Sequence, residues 1–359
     1  MSSMWGERLR LSIFGESHGA GIGVVLDGLP AGEPIDYDEI LPQMARRASS
    51  GGKISTPRHE VDMPEVLSGI FNGRTDGSPL CAIMRNTDVR SKDYDRIRLV
   101  PRPGHADYTA YMRTGGFNDY RGGGHFSGRL TAPMVFAGSV CRQILSRRGV
   151  EIGAHLLSVA GVSDASFDAA HIPPTLLLRL SSEAFPLLEP GAQAAMRQAV
   201  EKAANEEDSV GGIVECAAVG LSAGLGSPIF GGVENRLASI LFGIPAVKGI
   251  EFGAGFAAAG LRGSENNDSF IYESGEVKTA ANHHGGLLGG ITSSMPVVFR
   301  VAFKPTPSIR QKQQSVDLEK KSQVELEVTG RHDPCVAIRA LPVVEALTAV
   351  CLLDLVMEG

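Results

Sequence analysis

The 359-residue sequence predicts an α+β fold, on three observations. Stretches near 38–48, 129–148, 192–206 and 341–357 repeat apolar residues at helical spacing, and their mixed faces suit packing against sheets. Short β-branched runs at 22–26, 213–219, 297–303 and 324–328 are bounded by Gly, Pro or Ser and read as strands. These elements do not alternate regularly, which argues against a doubly wound parallel sheet.

Two passages recur in the same order. Gly28-Leu-Pro-Ala-Gly32 is echoed by Gly220-Leu-Ser-Ala-Gly224, and Gly69-Ile-Phe-Asn-Gly-Arg-Thr-Asp-Gly-Ser-Pro79 by Gly286-Leu-Leu-Gly-Gly-Ile-Thr-Ser-Ser-Met-Pro296. Each copy follows or precedes an apolar, strand-like stretch, so the expectation is one domain over 1–359 built from two pseudo-repeated halves, about 1–150 and 210–359. The boundary is expected near 150–210, where Ser163–Pro174 and Glu206–Gly212 look loop-like.

Composition narrows the function. Hydrophobic residues make up 43% of the chain, enough for one large core or two moderate ones. Lys and Arg total 34 against 40 acidic residues, and a net charge of −6 gives no general attraction to nucleic acid or to an anionic membrane. An anionic ligand therefore needs locally gathered arginines. The cysteines, Cys81, Cys141, Cys216, Cys335 and Cys351, are odd in number and widely spaced, with no metal-ligand spacing, and read as reduced thiols in a cytoplasmic protein. The N-terminus has no basic-then-apolar leader, and no run approaches the ~18 apolar residues of a membrane span.

Four segments concentrate chemistry. Phe14-Gly-Glu-Ser-His-Gly19 sets Ser17 and His18 between glycines, where backbone can approach a ligand. Arg102-Pro-Gly-His-Ala-Asp107 places His105 in a turn, with an Arg and an Asp able to pair with it or with a phosphate. Asp119-Tyr-Arg-Gly-Gly-Gly-His-Phe-Ser-Gly-Arg129 runs into a predicted helix, whose N-terminal end favours an anion, although it is not a Walker A loop. Arg331-His-Asp-Pro-Cys335 packs three titratable side chains ahead of apolar sequence. Each has a bland reading too, as a structural turn or a solvated loop. Arg46, Arg47, Lys53, Arg58, Arg102, Arg121, Arg129, Lys304 and Arg339 gather near these places; Arg46 and Arg47 equally suit a helix C-terminus.

Together with Asn86-Thr-Asp, Ser91-Lys-Asp-Tyr94 and Lys304-Pro-Thr-Pro-Ser308, these motifs make the chain resemble the chorismate synthases from end to end. Val247-Lys-Gly-Ile-Glu-Phe-Gly253, Gly263-Ser-Glu-Asn-Asn-Asp268 and Asn282-His-His-Gly-Gly286 extend the likeness to nearly the whole sequence. The resemblance implies long helices sandwiched between antiparallel sheets, a homotetramer, and a lyase of the shikimate pathway to aromatic amino acids. The implied reaction is the 1,4-elimination of phosphate from 5-enolpyruvylshikimate 3-phosphate to give chorismate, with reduced FMN required and no net redox change. NADPH is implied as a possible reductant, and a separate flavin reductase as a possible partner.

By the same resemblance, His18 protonates the departing phosphate, His105 sits by the pyrimidine side of the flavin, Ser17 and Ser127 relay protons, and Asp333 acts near flavin N5. FMN contacts are implied at His125, Phe126, Ser127, Pro245, Ala246, Gly289, Lys304, Pro305, Thr306, Pro307, Ser308 and Arg331. Arg47 and Lys53 match basic positions assigned to NADPH or to the substrate phosphate, and Arg129 and Arg102 are expected on the substrate. No metal site is expected.

The chain departs from the family pattern chiefly in one loop, with milder changes at Ala48-Ser49, Lys53 and Pro245. His125-Phe126 stands where Arg-Ser is common, and Leu130 where Glu is common, so a fixed cation is lost at position 125. The rival readings are an NADPH-dependent flavin reductase, which would oxidise NADPH without the enolpyruvyl substrate, and a non-catalytic flavin-binding protein, which would have no turnover to lose.

Overall fold

The computed structural model describes residues 3–48, 62–87, 97–328 and 332–358. The first half contributes β1 (Met4–Trp5), β2 (Arg10–Gly15), β3 (Gly21–Asp27), α1 (Tyr37–Arg47), β4 (Glu65–Ser68), β5 (Ile70–Phe71), β6 (Arg74–Thr75), β7 (Leu80–Arg85), α2 (Asp107–Thr114) and α3 (Thr131–Ser146). Next come β8 (Glu151–Val159), β9 (Val162–Ser163), α4 (Pro174–Leu180), α5 (Gln193–Asn205), β10 (Gly212–Val219), α6 (Val233–Leu241) and β11 (Val247–Phe252). The chain closes with α7 (Gly263–Asn266), β12 (Phe270–Glu273), β13 (Glu276–Thr279), β14 (Leu287–Leu288), β15 (Ile291–Thr292), β16 (Val297–Phe303), β17 (Gln313–Asp317), β18 (Ser322–Leu326) and α8 (Ala337–Val356).

Two five-stranded antiparallel sheets, β1-β2-β3-β7-β4 and β11-β16-β10-β8-β9, enclose the long helices. Helix α3 meets β3 and β7, α8 meets β8 and β10, and the two helices pack along each other. Both are apolar almost all round, as helices covered on every side must be, and α8 is buried from Ala337 nearly to its end. The α+β expectation and the expected helices are met within a few residues. Between the segments expected as loops, 163–174 and 206–212, the chain carries α5 where a helix was expected and also α4, which was not expected, and both pack on β8.

Charges inside this core are matched. Asp354 on α8 accepts the backbone N–H groups of Glu7, Arg8 and Leu9 at 3.1, 2.8 and 2.7 Å and pairs with Arg236. Glu345 takes Arg46 at 2.6 Å and the Ala154 N–H at 3.0 Å. A buried carboxylate is tolerated only with such partners. These contacts separate the neighbouring helix-end arginines: Arg46 serves the core and Arg47 turns elsewhere.

The sheets share a connection order. Taking β2, β3, β4 and β7 in sequence, the sheet order is β2-β3-β7-β4; taking β8, β10, β11 and β16, it is β8-β10-β16-β11. The recurring motifs occupy matching places and make matching bonds. Thr75 Oγ1 donates to the Pro30 carbonyl at 2.5 Å and accepts the Glu33 N–H at 3.0 Å, while the Gly32 N–H reaches the Thr75 carbonyl at 2.7 Å. Thr292 Oγ1 donates to the Ser222 carbonyl at 2.7 Å and accepts the Leu225 N–H at 2.9 Å, while the Gly224 N–H reaches the Thr292 carbonyl at 3.0 Å. Gly28 and Gly220 are alike in need: at positive φ, an added Cβ would lie 2.1 Å from the Arg8 carbonyl oxygen or 2.0 Å from that of Gly149.

Candidate active site

At one end of the sandwich, β1, β2, the end of α1, the loops at 102–106 and 122–130, the end of α6, the 304–308 segment and the start of α8 surround a cavity of about 810 Å³. Small-molecule sites span roughly 300–1,000 Å³, so the space can hold more than one medium-sized ligand. One wall is apolar, with Leu11, Ile13, Met134, Ile240, Val343 and Leu347.

The opposite wall is cationic. Arg47, at the C-terminus of α1, is buried, donates to Thr131 Oγ1 at 3.0 Å and to the Gly128 carbonyl at 3.2 Å, and pairs with Asp62. Asp62 also pairs with Arg129, whose Nε donates to Asn86 Oδ1 at 3.1 Å. Burial, opposed by Asp62 and assisted by Arg339 and Arg129, lowers the Arg47 guanidinium to about 10, which leaves it charged at neutral pH. For Asp62, burial disfavours the charge, but Arg47 and Arg129 outweigh it and hold the carboxyl below its ordinary range. Arg339, on the first turn of α8, binds Asp333 at 2.6 Å and donates through Nε to the Arg47 carbonyl at 3.0 Å.

The third wall holds imidazoles. His105 Nδ1 lies 2.7 Å from Asp107 Oδ1. Arg102 approaches both His105 ring nitrogens, at 3.1 and 3.2 Å, and is therefore aimed at neither lone pair; the Nδ1–H donates to Asp107. Burial lowers the His105 pKa, with the Asp107 hydrogen bond raising it and Arg102 lowering it, so the ring is neutral at pH 7 with Nε2 as its acceptor. Burial works against the Asp107 charge, but Arg102 and His105 hold that carboxyl far below its usual range. His332 is lowered to about 4 by burial and by Arg102, against the pull of Asp333. Its Nε2 is buried without a hydrogen-bond partner among the described residues, and so is Thr306 Oγ1.

Beneath these walls runs the glycine loop. Gly122, Gly123 and Gly124 have φ of 59°, 87° and 53°, where a side chain is strained. A Cβ on Gly122 would lie 2.2 Å from His18 Nδ1, and one on Gly123 would lie 3.2 Å from His105 Nε2. Adjacent glycines thus touch the two histidines.

Most of the residues singled out from the sequence converge here. Arg47, Arg102, His105, His125, Phe126, Ser127, Arg129, Pro245, Ala246, Lys304, Thr306, Pro307, Ser308 and Asp333 line the cavity. Buried Ser17 and His18 stand one residue back, behind Gly122, with the Ser17 hydroxyl 3.0 Å from His18 Nδ1. Pro305 is not among the lining residues, and Gly289 is exposed on the turn between β14 and β15, away from the cavity. Lys53 and Arg331 lie outside the described residues.

Several of these side chains are already engaged by the protein. Arg102 gives Asp107 bonds of 2.7 and 2.8 Å and Ser308 one of 3.0 Å, which ties the guanidinium to the His105 turn rather than leaving it open to substrate. Ser127 Oγ accepts the Arg129 N–H at 3.2 Å. His125, in place of the family's Arg, uses Nδ1 on the Gly15 carbonyl at 2.8 Å and Nε2 on Ser3 Oγ at 2.7 Å. Arg121 pairs with Asp119 of its own loop at 2.7 Å. Sequence reasoning missed Asp62, which lies outside the motifs that carried the signal, and placed Arg339 only among the basic residues near the site, although it sits six positions after Asp333 on the approach to a predicted helix.

Guanidiniums, a lysine and neutral imidazoles facing an apolar wall across one cavity define an enzyme for a multiply anionic small molecule with a flat apolar part. The sequence model of the family described as chorismate synthase matches residues 9–357. A chorismate synthase of Dehalococcoides mccartyi strain BAV1 is 45% identical, covering 100% of this chain and 98% of the relative. One from Thermococcus kodakarensis is 47% identical, covering 98% and 96%. A crystal structure of a chorismate synthase superposes with a TM-score of 0.75 at 28% identity, covering 98% of this chain and 93% of the other. The chain belongs to the chorismate synthase family, and its class of reaction is that of a lyase.

Proposed function

We propose that the chain eliminates phosphate from 5-enolpyruvylshikimate 3-phosphate to form chorismate, with reduced FMN bound beside the substrate. The observation that carries this reading is one cavity in which Arg47, Arg129, Arg339 and Lys304 face an apolar wall, in a chain of this family. The substrate's phosphate and carboxylates suit the guanidiniums.

The residues present fit a flavin mononucleotide. The apolar wall suits the ring system, Lys304 and Ser308 suit the polar end, and Thr306 Oγ1 and His332 Nε2, without a partner among the described residues, are buried polar atoms that a ligand would satisfy. Bound and reduced, FMN would supply electron density that loosens the bond to the departing phosphate. His18, hydrogen-bonded to Ser17, holds a proton for that phosphate. His105 is kept neutral and oriented by Asp107, and Asp333 is steadied by Arg339 as a proton acceptor. NADPH as reductant, with Arg47 and Lys53 as candidate contacts, and a separate reductase remain part of the proposal through family resemblance.

The same reading extends to assembly, location and origin. A homotetramer is supported by large apolar side chains left exposed on the second half, Ile229 (75%), Phe230 (89%), Phe256 (85%) and Tyr272 (82%). A cytoplasmic location is supported by cysteines that are all unpaired. The shared sheet order and the matched Thr75 and Thr292 bonds support a duplicated ancestor for the halves near 1–150 and 210–359.

An anaerobic assay with photoreduced FMN tests the function: phosphate and chorismate should appear in equal amounts, with or without NADPH. Sustained turnover by protein free of flavin, or NADPH oxidation with no enolpyruvyl substrate, would replace this reading. Asp333→Asn should lower turnover ~10²-fold or more while FMN and substrate affinity change less than ~10-fold. Weakened FMN binding with intact single-turnover chemistry would make Asp333 an anchor instead.

A further inference from the structure

We infer that Asn86 is a positioning residue for His18, acting through the backbone of the turn that carries it. Asn86 directly follows β7, in a motif that the site described above leaves without a part. Its Nδ2 donates to the Glu16 carbonyl at 2.9 Å and to the Gly19 carbonyl at 3.0 Å. Those carbonyls bracket Ser17 and His18. The amide has only one arrangement consistent with its neighbours: Arg129 can only donate, so it must face Oδ1, and the carbonyls can only accept, so they must face the NH₂ group.

Asn86 thereby joins the cationic wall to the histidine turn. A continuous chain of bonds runs from Arg47 through Asp62 and Arg129 to Asn86 and on to the residues either side of Ser17-His18. Because Arg47 and Arg129 face the cavity, an anion seated on them bears on the same framework that aims His18. Asn86 also holds the turn from below, by the Asn86 N–H on the Ala20 carbonyl at 3.3 Å, while the Ser17 N–H reaches the Gly124 carbonyl at 3.2 Å on the loop side.

The inference rests on His18 being the proton donor, so its test includes a measurement that does not use turnover. In full-length protein, the His18 imidazole is followed by NMR through a pH titration. Asn86→Ala and Asn86→Asp should each move its midpoint by ~0.3 unit or more, since loss of a fixed hydrogen-bond environment changes the balance of its charged and neutral forms. The exposed His171 serves as an internal reference that should not move. Asn86→Asp keeps the acceptor for Arg129 and loses both donors to the turn, but its added charge by itself raises the His18 midpoint, so the neutral Asn86→Ala is the deciding variant. In the assay, kcat should fall ~10-fold or more with KM within ~3-fold, and in a His18→Ala background Asn86→Ala should add less than ~3-fold, because residues acting as a unit are not additive. An unmoved His18 titration in Asn86→Ala overturns the inference, and so do fully additive losses. Unchanged turnover in His18→Ala alone would remove the donor role while a moved titration still keeps the positioning.

Discussion

His105 and His18 touch neighbouring glycines of one loop, yet the protein grips the first by its ring and the second by its backbone. The His105 imidazole is fixed by a buried carboxylate, itself locked to Arg102, and Lys304 donates to the Gly104 carbonyl just before it. The His18 turn is fixed by Asn86 on the carbonyls of residues 16 and 19, and the ring meets the Ser17 hydroxyl within the field of the Asp119 carboxylate. Asn86 and Lys304 hold equivalent places, each the first residue after the last strand laid down in its sheet. An ionic grip commits a ring to one tautomer, whereas a backbone grip fixes the place of a ring without choosing its tautomer. The difference suits His105 to hold a stationary hydrogen bond and His18 to surrender a proton.

The largest effect should come from deleting either ring. His18→Ala and His105→Ala should each cut turnover ~10²-fold or more with the fold intact, the usual scale for an acid–base group. An unchanged rate in either would return that histidine to a structural role and break the comparison.

Smaller and unequal losses should follow when the ring partners are altered. Asp107→Asn removes the charge that fixes the His105 tautomer, and should lower kcat ~10-fold or more and cost about 3 kcal/mol of stability by leaving Arg102 short of a partner. Ser17→Ala removes one neutral hydrogen bond and should cost about 1 kcal/mol, with a smaller loss of kcat, by denaturant melts and steady-state rates. Equal losses in the two would mean that both rings are held alike.

The ionic side should also have a signature in stability against pH. His332, at about 4 and surrounded by Arg102, Asp333, His105 and Arg310, binds its proton less readily folded than unfolded, where the pKa is ~6.5. The unfolded chain therefore carries more protons between these values, and stability contributed by neutral His332 is full above ~6.5 and lost as pH falls toward 4. The depressed Asp62 and Asp107 lose their contributions only at lower pH. His332→Asn should flatten melting temperature against pH in that window; an unchanged slope would show that the imidazole is not held neutral.

The smallest test compares the halves. Thr75→Val and Thr292→Val delete the same pair of hydroxyl bonds and should each cost about 1 kcal/mol in urea melts. A difference well beyond that would separate positions that the shared topology sets as counterparts.

Much of this was legible in the sequence because it lies in short, polar, glycine-rich turns. The Ser17-His18, His105 and Gly122–Gly124 segments announce themselves by composition, and each reaches the cavity or its immediate backing. The recurring turns were legible through Gly28 and Gly220, whose positive φ and close carbonyl neighbours strain any side chain. Partner choice was not. Nothing local tells that Arg46 faces Glu345, 299 residues on, while Arg47 faces Asp62, or that Arg102 also reaches Ser308. Those choices depend on how distant elements pack, as does the replacement of a ligand-facing cation at position 125 by a histidine bonded to Ser3 and Gly15.

At the centre of the sandwich, a Cβ on Gly138 of α3 would lie 2.3 Å from the Ala346 carbonyl oxygen of α8, so the two helices touch main chain to main chain. Packed surfaces this close have no room to slide. The halves therefore do not work as jaws. The ends of these helices, at Thr131 and Arg339, give the cavity a fixed backing.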